Sequence, residues 1–252
     1  MIIKTAEEIE KIRQAGKILA QVAKAVLAQA KEGTRLKSLD TLAKELILKA
    51  GGKPAFLGYQ PYGAAKPYPS SICTSINDVV VHGVPNDYRL RSGDLLKLDF
   101  GVTYDGWHAD AAWTTGVGEI SEQTQQLIKV TEKALFEGIK YAKPGKHLGD
   151  IGWAISRTIS GYGFKVVDGL TGHGVGKELH EDPSVFNEGK KGSGIALRPG
   201  MVLAIEPMTS AGTARIVQLK DESYAVEDGS LSAHFEHTVA ITEQGPEILT
   251  LI

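Results

Sequence analysis

Two aspartates, Asp99 and Asp110, flank a turn in the stretch LDFGVTYDGWHAD (Leu98–Asp110). Asp105-Gly106 after an apolar alternation is the sequence of a two-residue hairpin turn. Such a turn sets Tyr104 against Trp107, Gly101 against Asp110 and Asp99 against Ala112. Asp99 and Asp110 then become diagonal neighbours on one face, within side-chain reach. Like charges so placed destabilise a hairpin. On a wet face, or with an odd-numbered loop, the problem would vanish. Yet Leu95, Leu96, Leu98 and Phe100 make the first strand apolar on both faces, which reads as buried. Buried carboxylates need a counter-charge, a shared proton or a metal.

Other residues extend that chemistry. The run TGHGVGKELHEDP (Thr171–Pro183) fits neither GxGxxG nor GxxxxGK[ST], because its glycines alternate as Gly172, Gly174 and Gly176. It carries His173 and His180 in a backbone able to approach a ligand closely. Glu206 closes the apolar strand Met201–Ile205 just before Pro207, and Glu236 is expected inside the alternating strand HFEHTVAIT. Taken alone, a strand-end glutamate is ordinarily a solvated edge residue and a lone histidine ordinarily structural. HExxH and GxSxG are absent, and Cys73 has no adjacent base, so nucleophilic catalysis lacks support. Carboxylates on or at the ends of apolar strands, with one glycine-flanked histidine and no thiolate, suit a pair of divalent ions.

The elements that must position these groups come in two similar sets. Thr5-Ala6-Glu7-Glu8 reads as a capping box, with Ile9, Ile12, Ile18, Leu19, Val22, Val26 and Leu27 following at helical spacing. A break at Glu32-Gly33-Thr34 leads to a helix carrying Leu39, Leu42, Leu46 and Ile47, stopped by Gly51-Gly52. A third helix begins near Ser121 and runs to Pro144-Gly145; a fourth carries Leu148, Ile151, Ile155 and Ile159 and stops at Gly161. Gly33-x-x-Leu36 matches Gly145-x-x-Leu148 at an offset of 112 (33 to 145). RSGDLLKLD (Arg91–Asp99) matches RPGMVLAIE (Arg198–Glu206) at an offset of 107 (91 to 198). Two matches at nearly one offset imply two halves related by a pseudo-two-fold, about 1–118 and 119–252 of a single catalytic domain, with Asp99 and Glu206 meeting where the halves meet. The segment GYQPYGAAKPYPSS (Gly58–Ser71) reads as an aromatic surface loop.

Composition bounds the rest. The chain has 252 residues, 42% hydrophobic and 23% charged, with a net charge of −2. That is ample material for a core and no sign of nucleic acid or an acidic membrane as the main partner. One cysteine excludes an internal disulfide framework and fits a reducing compartment. No stretch reads as a signal peptide or reaches the length of a membrane span, so a cytoplasmic location is the expectation.

The segments NDVVVHGVP (Asn77–Pro85), LDFGVTYDGWHAD, GHGVGKELHEDP, AIEPM (Ala204–Met208) and FEHTVAIT (Phe235–Thr242) resemble, in order and over nearly the whole chain, the signatures of type I methionine aminopeptidases. The resemblance implies an α+β pita-bread fold, two αβ halves around a curved antiparallel sheet with helices outside. It implies that Asp99, Asp110, His173, Glu206 and Glu236 hold two divalent ions (Co, Mn, Fe or Zn), with Asp110 and Glu236 bridging. It also implies hydrolysis of the first peptide bond of chains beginning with methionine. There Glu206 would shuttle a proton, His180 would donate to the tetrahedral intermediate and His82 would contact the scissile amide.

Tyr59, Tyr62 and Cys73 fall where that family lines its side-chain pocket, with Phe56 and Leu179 as further candidates. Leu179 stands where an aromatic residue often precedes the histidine, Tyr224 is nearest to a common tryptophan, and the Gln60–Ser71 loop looks longer than usual. The implied substrates are nascent polypeptides and peptides; transient ribosome contact and a monomeric state are expectations from the family alone. Two alternatives stay open: a proline-specific aminopeptidase or prolidase, which usually adds an N-terminal domain where this chain reaches its first helix at about Thr5, and a catalytically inactive relative used as a binding module.

Overall fold

Asp105-Gly106 turns as the sequence expects. In the computed structural model, which describes residues 3–61 and 63–252, Tyr104 faces Trp107, Gly101 faces Asp110 and Asp99 faces Ala112. In chain order the first half supplies α1 (Ala6–Leu27), α2 (Leu36–Lys49), β1 (Lys53–Pro54), β2 (Ile72–Ile76), β3 (Val79–Val81), β4 (Leu95–Tyr104) and β5 (Trp107–Gly116). The second opens with α3 (Glu122–Ile139), α4 (Leu148–Ser160), β6 (Lys165–Val166), β7 (Thr171–Gly174), β8 (Glu181–Phe186) and β9 (Val202–Ile205). It ends with β10 (Met208–Ser210), β11 (Ile216–Gln218), β12 (Tyr224–Val226), β13 (Ser232–His234), β14 (His237–Thr242) and β15 (Gly245–Ile248).

The helix starts follow their caps. Thr5 Oγ1 accepts from Glu8 N (3.2 Å) while Glu8 Oε2 accepts from Thr5 N (2.8 Å); Ser121 Oγ accepts from Thr124 N (3.1 Å). Each half then packs a helix pair on its own sheet. Ile12, Leu19 and Ile47 close over Leu96, Leu98 and Phe100 of β4. Leu127, Leu135, Ile151 and Ile155 close over Leu203 and Ile205 of β9 and Val239 of β14. In the first sheet β5 takes one edge of β4, and β1 and β2 share the other. The second runs β15-β14-β9-β7-β8, antiparallel throughout.

The repeat read from the sequence recurs in the backbone. Leu90 N donates to Thr34 O and Leu36 N to Tyr88 O; Leu197 N donates to Lys146 O and Leu148 N to Ile195 O. Thus the same two hydrogen bonds tie helix entry to strand entry in each half. The bridges Arg35–Arg89 and His147–Ala196 complete the correspondence.

The face of β4 away from the helices is not an apolar run. It carries Leu95, Lys97, Asp99 and Gly101, and both halves bury it: Phe56 packs on Gly101, and Ser232 closes over Lys97. Lys97 is fully buried and donates from Nζ to Asn77 O (2.7 Å), Ser232 O (3.1 Å) and Ser232 Oγ (3.3 Å), tying the halves together. Desolvation pushes its pKa down to about 7.

Glu236 lies outside a strand, contrary to the expectation that it sits within one. The chain leaves β13 at His234 and enters β14 at His237, and the step between them changes partners. β13 pairs with β10, whereas β14 pairs with β9. At the step Glu236 pairs with β5 instead: its N donates to Ala112 O (2.9 Å), and Ala112 N donates to Glu236 O (3.3 Å). Two threonines extend this seam. Thr114 Oγ1 donates to His234 O (2.6 Å) and accepts from His234 N (2.9 Å). Thr238 Oγ1 donates to Asp110 O (2.8 Å) and accepts from Asp110 N (2.9 Å).

Thr238 is fully buried, so no water can replace its hydroxyl cheaply. Thr238→Val would keep the shape and orphan both backbone groups of Asp110. The expected loss is about 2–6 kcal/mol of stability, counting about 1–3 for each abandoned group. Urea unfolding of the variant measures it; a loss under about 1 kcal/mol would mean that the seam does not depend on this hydroxyl.

Candidate metal centre

The fold brings Asp99 from β4, Asp110 from β5, His173 from β7, Glu206 just after β9 and Glu236 just before β14 to one spot between the halves. His173 Nε2 lies 3.8 Å from Asp110 Oδ2, 3.5 Å from Glu206 Oε1 and 3.9 Å from Glu236 Oε1. Donor atoms of Asp99, Asp110 and Glu236 fall within 4.8 Å of one another, as do those of His173, Glu206 and Glu236, and those of Asp110, His173 and His180.

His173 reaches this position because its flanking glycines lack side chains. A Cβ on Gly172 would stand 2.3 Å from Ala204 O, and one on Gly174 2.6 Å from Asp182 O. The alternating glycines therefore serve close backbone packing of β7 between β8 and β9. The following turn is fixed by a buried ion pair, Lys4 Nζ to Glu181 Oε2 at 2.6 Å, and Glu181 Oε1 accepts from Glu178 N (3.2 Å).

The electrostatics call for positive charge. His173 Nδ1 lies 2.8 Å from Gly174 O. A carbonyl only accepts, so Nδ1 carries the hydrogen and Nε2 turns its lone pair toward three carboxylates. Asp99 Oδ1, Asp110 Oδ1 and Glu236 Oε1 are buried without a hydrogen-bond partner among the described residues. Desolvation raises all four carboxyls. Asp99 and Glu206 rise to about 7, Asp110 well above its ordinary value with Asp99 and Glu206 adding repulsion, and Glu236 likewise with Asp110 adding most. Oxygen-rich donors, one imidazole lone pair and unpaired buried anions are what hard or borderline divalent cations require. The residues fit such ions.

A cavity of about 750 Å³ opens on this cluster. His82 stands on its wall in the left-handed region (φ 60°), a strained conformation for a non-glycine residue that suits a functional position. Its ring lies 6.0 Å from that of Tyr224. His180 faces the cavity beside His173, ring centroids 4.3 Å apart. Although His180 is exposed at the cavity, desolvation and the imidazoles of His173, His82 and His108 push it down to about 3, so it is neutral.

Phe56, Cys73 and Leu179 form one small apolar cluster, with Tyr59 and Tyr68 against it. Phe56, Tyr59 and Cys73 line the cavity, whereas Leu179 is buried behind the lining. Tyr224 lines the cavity elsewhere, packed with Val81 and Met208. The expected pocket residue Tyr62 lies outside the described residues.

Sequence reasoning missed His234. It is buried, with Nε2 3.2 Å from Glu206 Oε2 but not aligned for a hydrogen bond. Only the fold reveals it: His234 stands two positions before Glu236, as Asp110 stands two before Ala112, and Glu236 and Ala112 pair across the seam. Tyr68 was also missed; its hydroxyl lies 2.9 Å from Gly83 O, joining the pocket floor to the backbone after His82.

Fold and site together define a metal-dependent hydrolase. The model of metallopeptidase family M24 matches residues 10–243, and the chain belongs to that family. It is 45% identical to a methionine aminopeptidase of Clostridium perfringens, covering 100% of this chain and 99% of that relative. It superposes on a crystal structure of methionine aminopeptidase from Thermotoga maritima with a TM-score of 0.95 at 43% identity, covering 100% of both chains. A prolidase from Pyrococcus furiosus matches with a TM-score of 0.78 at 27% identity, over 100% of this chain and 66% of that one. The fold is the pita-bread fold, and the family binds divalent metal. Among the described residues no helix is long and apolar enough to cross a membrane.

The raised carboxyls give the metal-free protein a distinctive pH response. Between about 4 and about 7 Asp99 and Glu206 hold protons in the folded state that the unfolded chain has released, so their contribution to stability falls as pH rises. His82, His180, His234 and His237, held down at about 3 to 4 by burial, contribute the opposite slope below about 6.5. Chelated wild type should lose Tm relative to chelated Glu236→Gln from pH 5 to pH 8, and added divalent cation should raise the wild-type Tm most at the upper end. A wild-type Tm that gains on the variant across this range without metal would contradict the charge-repulsion reading.

Proposed function

We propose that this chain is a methionine aminopeptidase that removes the N-terminal methionine from peptides and nascent proteins, using two divalent ions held by Asp99, Asp110, His173, Glu206 and Glu236. The observation that carries this is adjacency: the carboxylate–imidazole cluster and the apolar wall of Phe56 and Cys73 line one cavity, so an N-terminal side chain can be held next to the metal centre. High identity to relatives named methionine aminopeptidase over the full chain supports it.

When bound, divalent cations lower the pKa of water and stabilise charge growing on a carbonyl oxygen. The protein's own groups do the rest. The Phe56–Cys73 wall offers an apolar surface that an unbranched thioether can follow. Neutral His180 donates a hydrogen bond to the carbonyl oxygen as it becomes anionic. His82, on another wall, contacts the amide being cleaved. Glu206, at the same cluster, would accept a proton and pass it to the departing amine. A cytoplasmic monomer acting on chains as they leave the ribosome, in transient contact with it, fits the family resemblance and the single cysteine.

The test is hydrolysis of Met-Ala-Ser, Leu-Ala-Ser and Ala-Pro-Ala by metal-stripped protein with Mn, Co, Fe or Zn restored. Metal-dependent release of methionine alone is expected; cleavage only before proline would assign a proline-specific peptidase. No cleavage by folded, metal-loaded protein would leave a binding role. In the same assay His180→Ala should lower kcat by roughly 100-fold, the order seen when one oxyanion donor is removed. An unchanged kcat would take His180 out of the mechanism.

A further inference from the structure

His180 is held between two rings. On one side lies His173; on the other lies Tyr59, 5.1 Å away between centroids, with its hydroxyl 2.7 Å from His180 Nδ1. Tyr59 is itself fixed. Its N donates to Phe56 O (2.9 Å), its O accepts from Tyr68 N (2.8 Å), and Gly58 N donates to Tyr68 O (2.9 Å). This clamp closes the base of the 60–68 loop and holds the phenol against the histidine before any ligand arrives.

We infer that Tyr59 is a positioning residue that sets the tautomer of His180, placing its hydrogen on Nε2 and so making it a hydrogen-bond donor to the substrate carbonyl. The inference rests on the reading of His180 as the carbonyl's partner. The contact at Nδ1 can run in two directions. Were Nδ1–H to donate, the phenol hydrogen would lack a protein acceptor, because Tyr59 Oη has no other hydrogen bond among the described residues. A phenol is also the better donor, and an imidazole sp² nitrogen the better acceptor. The favoured direction is therefore O–H to Nδ1, which leaves Nε2 protonated.

His173 is set the opposite way by a backbone carbonyl at its Nδ1. Two adjacent imidazoles thus receive opposite tautomers from opposite kinds of partner. A carbonyl makes His173 a lone-pair donor suited to a cation; a phenol makes His180 an N–H donor suited to an oxyanion. The same assignment removes His180 from the ligand set, despite its nearness to Asp110 and His173, because a protonated Nε2 cannot ligate.

Two measurements test this. Nitrogen-15 NMR of the ring signals in metal-free, histidine-labelled protein, assigned with His180→Ala, should show His180 as Nε2–H in the wild type and shifted toward Nδ1–H in Tyr59→Phe, with His173 unchanged. Kinetics on Met-Ala-Ser with the metal restored should show kcat reduced roughly three- to tenfold in Tyr59→Phe at nearly constant KM, the range of one hydrogen bond. The loss should vanish when the substitution is made in His180→Ala. An Nδ1–H signal in the wild type, an equal loss in both backgrounds, or a raised KM at constant kcat would each overturn the inference, the last marking Tyr59 as pocket wall only. If no form hydrolyses peptide, the functional reading fails and the NMR result alone decides the tautomer.

Discussion

Four carboxylates held within a few ångströms of one another in a buried seam are the constraint on which the rest of the structure depends. Each costs free energy to desolvate and each raises its neighbours. Among the described residues no lysine or arginine pairs with them: Lys97, two residues before Asp99 on β4, spends its donors on Asn77 and Ser232. The fold can hold such a cluster because its scaffold is overdetermined, with helix pairs on both outer faces and a seam in which the backbone groups of Asp110, Ala112, His234 and Glu236 are all hydrogen-bonded. The charge deficit is then a specification for what must bind there.

Much of the scaffold was legible because it rests on short-range rules. Asp105-Gly106 fixed the hairpin register, and with it the positions of Asp99 and Asp110, through backbone sterics alone. Thr5 with Glu8, and Ser121, marked helix starts through local hydrogen bonds. The pseudo-repeat was legible because the same helix-to-strand bonds recur in both halves. The fold class and peptidase family expected from the signature segments also agree with the family match. Less legible was whatever depends on partners distant in sequence. Glu236 reads as mid-strand by alternation, yet the chain changes sheets there, because β5 arrives from the other half to take its backbone. Leu179 reads as pocket lining by its place before His180, yet it turns inward behind Phe56 and Cys73. The ionic pinning of Glu181 by Lys4 joins residues 177 positions apart and leaves no local trace.

The repeat also explains where symmetry was kept and where it was broken. β4 and β5 are joined by two residues, whereas their counterparts β9 and β14 are separated by a long excursion through β10 to β13. That excursion brings Tyr224 beside His82 and sets Glu222 against Ala65 N (3.1 Å) on the far rim. One half therefore builds a bare hairpin, and the other builds the same hairpin opened to make a cleft wall.

At the seam the backbone stays two-fold while the chemistry does not. Ala112 and Glu236 pair through both backbone groups, and two residues beyond each stands a threonine, Thr114 or Thr238, that closes the opposite strand. Two residues before each stands a functional group, Asp110 in one half and His234 in the other; Asp99 and Glu206 match in the same way. Equivalent positions thus carry an aspartate against a histidine, an alanine against a glutamate and an aspartate against a glutamate. A strictly symmetric seam would offer a peptide two equal orientations. Unlike side chains on like backbone positions make one end of the cluster different from the other, so a rigid, repeated frame can hold a chain whose amino end and scissile carbonyl must be told apart.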